Sequence, residues 1–450
     1  MMVCAAAVFA AGPNGKLTPL DKYIQAPDSN YRYELVKTFP GSGYTGYLIE
    51  MTSCAWRTPV VVDRPIWKHW LTIIKPEKVE GNTGFLSITG GHIPDPPPRM
   101  NPNWVDCALT THTVVAEVFD VPNEPVKFAG YDKSLSEDAI VAYTWVQFLK
   151  TGDETWPLHF TMAKAAIRAM DTVTAFCAGQ HVKVEKFVTS GGSKRGWTTW
   201  LTAAADPRVV AIIPKAIDLL NNEKSYQHQY QAYGAYSPAI KAYEQAGITD
   251  VYDQPRYQEL LRLEDPYSYR ERFTMPKFLI NAAGDQFFTP DSSRFYFDDL
   301  PGEKYLRYLP NTDHSLGLDS RESLIAFYDA FLHHRPRPQF TWRFEENGDI
   351  RVQCKDKPSE VLLWQATNPK ARDFRVMSIG RPYKSAKLTE LGAGTYVAKI
   401  EKPAKGWTAS FVELTFPSAS KYPFKFTTAV RITPDTLPFE LPKPTGKLRE

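Results

Sequence analysis

Cysteine is scarce in this chain, neither charge sign dominates, and long apolar runs are missing. Five cysteines, Cys4, Cys54, Cys107, Cys177 and Cys354, are spread over 450 residues. None stands in a Cys-x-x-Cys or other zinc-type spacing, which argues against a cysteine-built metal centre. If Cys4 leaves with a leader, the remaining four allow three pairings. An exported chain permits disulfides, yet the wide spacing suits buried free thiols equally. The net charge is only +3, without a dense Lys/Arg run, so no nucleic-acid partner is expected. No run of about 18 apolar residues occurs, so no membrane span is expected. With 36 prolines, a helical bundle is disfavoured.

The start, "MMVCAAAVFAAGPNGK", has a short apolar run at 3–11 closing on small residues. It resembles the core and cleavage end of a signal peptide but lacks a basic start. Residues 1–12 are therefore expected to be a signal-peptide remnant, with an apolar tail as the alternative. The matching location is secreted or periplasmic.

What is present is an ordinary soluble composition, 43% hydrophobic and 23% charged. The length favours two domains over one. From 17 to 334, short β-rich runs give way to alternating strands and helices, which predicts a mostly parallel sheet covered on both faces. Strands are expected near 184–190, 209–217, 277–283 and 304–309. Helices are expected at 136–150, 161–177, 194–205, near 291–299 and at 320–333. An insertion at about 219–268 interrupts the series. Between 340 and 442 the pattern changes to short alternating strands, read as a separate β-sandwich beyond a Pro-rich linker at 335–339.

The most informative stretch is "VEKFVTSGGSKRGWTTWLTAAADPR", 184–208. A strand meets two glycines, then Ser193, and a helix begins at once. A serine hydroxyl attacks only when a base removes its proton and fixed donors receive the oxyanion. A strand–turn–helix corner exposes Oγ and aims the following amide, here that of Lys194, at the reacting carbonyl. Ser193 is thus the candidate nucleophile and Lys194 a candidate oxyanion donor through its backbone. Two cations in a helix's first turn oppose its dipole by about 0.3–1 kcal/mol each. Either Lys194 or Arg195 contacts an anionic or polar substrate group or braces the acid loop, or they pair with a buried carboxylate.

The acid and the base are expected from loops after later strands, in that order. Asp285 follows "KFLINAAG", and His314 follows "KYLRYLPNTD". Asp218 is the runner-up acid, Asp313 stands too near His314, and His333 and His334 read as a solvated helix end. "LSITGGHIP" offers the second oxyanion donor at Gly90, Gly91 or His92. Arg195, Tyr226, Tyr230 and Tyr233 are candidate substrate contacts. The tyrosines follow helical spacing, which equally suits a packed stripe. The connection at 119–134 is a second candidate wall.

Long runs here, among them "GSKRGWTTWLTAAADPRVVAIIP", "DPYSYRERFTMPKFLINAAGDQFFTPDSS", "WKHWLTIIKP" and "LLWQATNPKARDFR", resemble the PhoPQ-activated pathogenicity-related protein family. The resemblance covers nearly the whole chain. It matches residue for residue at Ser193–Gly196 and Gly284–Phe288, and it implies an α/β-hydrolase fold and export. It defines no substrate. The elbow is also similar to the Gly-x-Ser-Arg-x-Gly turn of glucuronoyl esterases, with Lys194 in the place of the cation. By analogy alone, that suggests an ester near a carboxylate or sugar.

Together these features suggest a secreted serine esterase with a Ser193–His314–Asp285 triad and an acyl-enzyme intermediate. Its substrate is expected to be a small-molecule or polymer ester, or a peptide. A peptidase on the same triad is the alternative, weakened because Glu223 alone makes a poor site for a substrate amine. A non-catalytic signalling or binding protein is the third reading. The triad requires no cofactor and no metal.

Overall fold

The computed structural model describes residues 16–449. The expected leader at 1–12, and Cys4 with it, lies outside the described residues. Two compact units divide the chain: one holds the residues up to Pro214 with Asp253–Pro276, the other Lys215–Tyr252 with Lys277 onward.

The first unit carries strands β1 (Arg32–Gly41), β2 (Tyr44–Ala55), β3 (Ile66–Pro76), β4 (Thr83–Ile88), β5 (Val115–Val118), β6 (Lys186–Gly192) and all but the last residue of β7 (Val209–Lys215). Their spatial order is β1-β2-β3-β5-β4-β6-β7. The first three strands and β5 run antiparallel. β4 then pairs parallel with both β5 and β6, a switch that needs the helical crossover Pro102–Thr111. β4 and β5 are buried along nearly their whole length, as strands of a sheet covered on both faces are. Helix Leu158–Gly179 is longer than its pattern predicts, because Leu158 and Phe160 extend the buried stripe toward its start. Helix Asp138–Thr151 starts two residues later than expected. Its N-cap is Glu137 rather than Ser136, with φ 55° and no capping side chain.

In the second unit β8 (Lys277–Ala282) and β9 (Lys304–Leu309) pair in parallel. Further on come β10 (Phe340–Phe344), β11 (Ile350–Cys354), β12 (Glu360–Asn368), β13 (Lys384–Lys387), β14 (Thr395–Ala398), β15 (Trp407–Phe416), β16 (Phe424–Thr427) and β17 (Arg431–Thr433). β16 joins β9 antiparallel and carries β15, β12 and β13 beyond it, while β10, β11 and β14 form a small second sheet. Phe340 of β10 stacks on Phe416 and Phe426 at 5.9 and 6.0 Å, laying the small sheet against the larger one.

The strands expected within 340–442 are present, but 335–339 is not where the compact units part. An open edge on β9 would leave backbone groups unpaired. β16 closes it, and Thr427 Oγ1 also accepts from the Tyr308 amide at 2.9 Å. Buried Arg307 of β9 pairs with Glu413 of β15 at 2.6 Å. The helix expected near 291–299 is only a 3-10 turn, Ser292–Phe295. Cys54, Cys107, Cys177 and Cys354 are all buried free thiols.

Candidate active site

At the end of β6 the chain turns into helix Lys194–Ala205 through Ser193, held at φ 57° and ψ −130°. That positive-φ conformation is costly for a residue with a Cβ, and Glu137 shares it at φ 55° and ψ −131°. Gly191 is required for close approach rather than for φ. A Cβ there would lie 2.4 Å from the Arg195 carbonyl oxygen, so strand and helix could not meet. Gly191→Ala is expected to destabilise the chain by about 1–3 kcal/mol, read as a lower urea midpoint.

Parallel pairing of β4 with β6 sets Ile88 opposite Gly191, so the loop at 89–92 leaves the sheet beside Ser193. The Lys194 amide lies in the first turn of its helix, where N–H groups have no intrahelical acceptor. The His92 amide is occupied, donating to Asp95 at 2.8 Å. The Gly91 amide makes no hydrogen bond among the described residues. Asp120 closes this loop from behind: a Cβ on Gly91 would meet its Oδ1 at 2.2 Å, and burial pushes its carboxyl up to about 6.

The two cations after Ser193 are spent on carboxylates. Lys194 Nζ pairs with Glu137 and lies 3.4 Å from Asp138. Arg195 grips both Glu137 oxygens at 3.0 Å and Glu124 at 3.2 Å, and its Nε donates to the Val121 carbonyl. The ion-pair reading is therefore the one realised, and the Arg195 guanidinium is engaged within its own unit. It also packs on Gly90, where a Cβ would fall 2.4 Å from Nη2. Burial, and then the Glu137 charge, raise the Glu124 carboxyl to about 7. Glu137 moves the other way: burial opposes ionisation, but Arg195 and Lys194 outweigh it. Glu124 and Glu137 carried no assigned role in the sequence. The signal was there: two cations at a helix start demand acids, and the 119–138 segment holds several.

In the second unit, the parallel pairing of β8 and β9 sets Ala282 opposite Leu309, so the loops after them run side by side. Gly284 lets them touch, since a Cβ would lie 2.9 Å from the Thr312 carbonyl. Asp285 thereby reaches His314, with Nδ1 at 2.8 and 3.0 Å from its two oxygens. The Phe287 amide donates to Asp285 Oδ1 at 2.7 Å. Phe287 lies 4.4 Å from the imidazole, centroid to centroid. The other nitrogen, Nε2, is buried without a partner among the described residues. A carboxylate on Nδ1 holds the proton there and leaves Nε2 as an acceptor.

A family model for the PhoPQ-activated pathogenicity-related protein matches residues 20–375. The chain belongs to that family. Autocrine proliferation repressor protein A of Dictyostelium discoideum is 36% identical over 453 residues, covering 94% of this chain and 92% of its own. Among solved structures, an acetyl xylan esterase from Thermoanaerobacterium aligns at 17% identity and TM-score 0.49, over 70% of this chain and 91% of its own. An acylaminoacyl peptidase from Pyrococcus horikoshii aligns at 14% identity and TM-score 0.40, over 69% and 42%.

In this PhoPQ-related chain the other acid candidates are employed elsewhere. Asp218 is buried and accepts from Tyr296 and Tyr308, both at 2.6 Å. Asp313 accepts from Ser315 at 2.6 Å. Burial raises the Asp218 carboxyl to about 7, against the two tyrosine hydrogen bonds. Because the folded value exceeds the unfolded one, its stabilising contribution is full below about pH 4 and lost as pH rises to about 7. Asp218→Asn should therefore flatten the fall in stability across that window, measured by urea unfolding at several pH values.

The tyrosine stripe does not behave as a buried face. Helix Asn222–Tyr233 buries Asn222, Ser225, His228, Gln229 and Ala232. Tyr230 packs edge-on to Tyr236 at 5.1 Å, Tyr233 lies under Arg375 at 4.1 Å, and Tyr226 is half-buried. The polar face leads to a cluster that sequence reading missed, in which His228 and Arg372 meet Asp291 at 3.0 and 2.7 Å. Its members are far apart in sequence, so no local pattern announces it.

Proposed function

We propose that this chain is an exported serine hydrolase, an esterase before a peptidase, with Ser193 as nucleophile, His314 as base and Asp285 as orienting acid. The observation that carries the reading is the Asp285–His314 pair with Nε2 unpartnered among the described residues. The strained elbow at Ser193 supports it from the other unit.

His314 Nε2 takes the hydroxyl proton as Oγ attacks the acyl carbon, and Asp285 stabilises the imidazolium that forms. The oxyanion is received by the Lys194 amide and by Gly91, since the His92 amide is bound to Asp95. His314 then hands the proton to the leaving group, and water, deprotonated in turn, releases the acyl-enzyme. No helix among the described residues is long and apolar enough to cross a membrane.

The test is labelling with a fluorophosphonate probe, with the modified peptide identified by mass spectrometry. Wild type should carry the label on Ser193, and Ser193→Ala should carry none. Folded wild type that stays unlabelled would remove the hydrolase reading and return the chain to the non-catalytic class.

A further inference from the structure

The second unit holds a cleft of about 670 Å³ between β10, the start of β9, and the segment 429–435. Its size falls in the range of small-molecule sites, about 300–1,000 Å³. The floor is aromatic for a reason visible in the strand. β10 alternates Phe340, Trp342 and Phe344, all half-buried, with exposed Thr341 and Arg343. Trp342 packs against Phe297 and Phe340, with ring centroids at 5.6 and 5.9 Å and planes tilted by 29° and 30°, so its ring plane is fixed before any ligand arrives.

Charge gives the cleft its selectivity. Arg294, Lys304, Arg343 and Arg431 line it, against Asp298 and Asp435. Three of the cations have partners. Arg294 is doubly bonded to Asp435 at 2.9 Å, Lys304 Nζ donates to the Asp298 and Leu300 carbonyls at 2.8 Å, and Arg343 lies 3.4 Å from Glu345. The Arg431 side chain has no such partner among the described residues. Its guanidinium lies 5.1 Å over the Phe344 ring, and Nε is buried without a hydrogen bond. A planar fork of donors with no acceptor, fixed above an aromatic floor, matches a carboxylate carried on a ring with an apolar face.

We propose that this cleft is a ligand site for a carboxylate-bearing ring compound, stacked on Trp342 and held through its carboxylate by Arg431. An acidic sugar and an aryl acid both present that chemistry, and the binding arms below separate the two. The site uses none of the groups assigned to hydrolysis, so it stands whether or not Ser193 is a nucleophile.

The experiment is calorimetric titration of full-length Ser193→Ala protein with trigalacturonate, with the neutral galactose trisaccharide and with 2-naphthoate. Binding by either acid, weakened about tenfold or more in Arg431→Gln and partly kept in Arg431→Lys, is the expected result. The neutral sugar should bind at least about tenfold more weakly than its acid counterpart. Trigalacturonate alone would identify the source as a sugar, naphthoate alone as an aryl acid. Arg431→Gln must melt with the wild type, which its half-exposed position allows, and Trp342→Phe gives a second reading that keeps the stacked rings. Neither acid binding, both binding unchanged in Arg431→Gln, or neutral and acidic sugars binding alike would overturn the proposal.

Discussion

Asp285→Asn is expected to slow fluorophosphonate labelling of Ser193, and ester hydrolysis with it, by about 10⁴-fold in a chain that stays folded. The side chain's two oxygens divide the effect: both lie within 3.0 Å of His314 Nδ1, Oδ2 being the nearer, and only Oδ1 also accepts from the backbone. Oδ1 accepts from the Phe287 amide at 2.7 Å, and the asparagine oxygen can keep that bond and the loop with it. The atom facing His314 Nδ1 at 2.8 Å becomes a donor, which forces the imidazole proton to Nε2 and removes the base. Labelling kinetics and a thermal melt on the same samples decide the matter. A rate within about tenfold of wild type at unchanged melting would mean that Asp285 does not orient a catalytic imidazole.

Arg195→Met should be the most destabilising single change near the elbow, at about 3–5 kcal/mol. That magnitude rests on Glu124, whose side chain is 0% exposed beside an Arg195 side chain exposed by 10%. Glu137, 39% exposed, stays partly hydrated and adds less. Without the guanidinium, Glu124 and Glu137 face each other, and Gly90 and the Val121 carbonyl lose their brace. The sign with pH follows from Glu124, raised by burial from 4.5 to about 7. Arg195 lowers that value in the wild type, so removing it raises the Glu124 carboxyl further. Both chains lose Glu124's share as pH rises, the variant the more, and its deficit should be larger at about pH 8 than at about pH 5. Arg195→Lys should recover part of the stability, since one ammonium can reach Glu137 but cannot span both acids. Urea midpoints at the two pH values measure all of this. A variant as stable as wild type would reduce the network to a surface pair.

How much of this was legible in the sequence varied with the range of the interactions. The elbow could be read because its determinants are local: a strand, Gly191, Ser193 and a helix start within a few residues. The Asp285–His314 pair could be placed because both follow apolar strands of ordinary pattern, and parallel strands bring such loops together. The partners of Arg195 could not be chosen, because Glu124 and Glu137 lie 71 and 58 residues away. The tyrosine spacing in 226–233 pointed to a face, but the helix buries the polar side chains between them, bound by contacts such as Gln229 to the Phe287 carbonyl at 2.6 Å. The strands of 340–442 were visible as strands. That β16 pairs with β9 depends on a hydrogen-bonding edge, and an edge leaves no mark in hydrophobic alternation.

The buried cysteines make this protein its own reporter of opening. Burial raises the thiols of Cys54 and Cys354 to about 11 and that of Cys177 to about 12, so almost no thiolate exists at these three positions at neutral pH in the folded chain. Alkylation must then wait for local or global exposure. Cys54, Cys107 and Cys177 belong to the first compact unit and Cys354 to the second. A short pulse of iodoacetamide during denaturation, read peptide by peptide, would show which unit loosens first without any engineered probe.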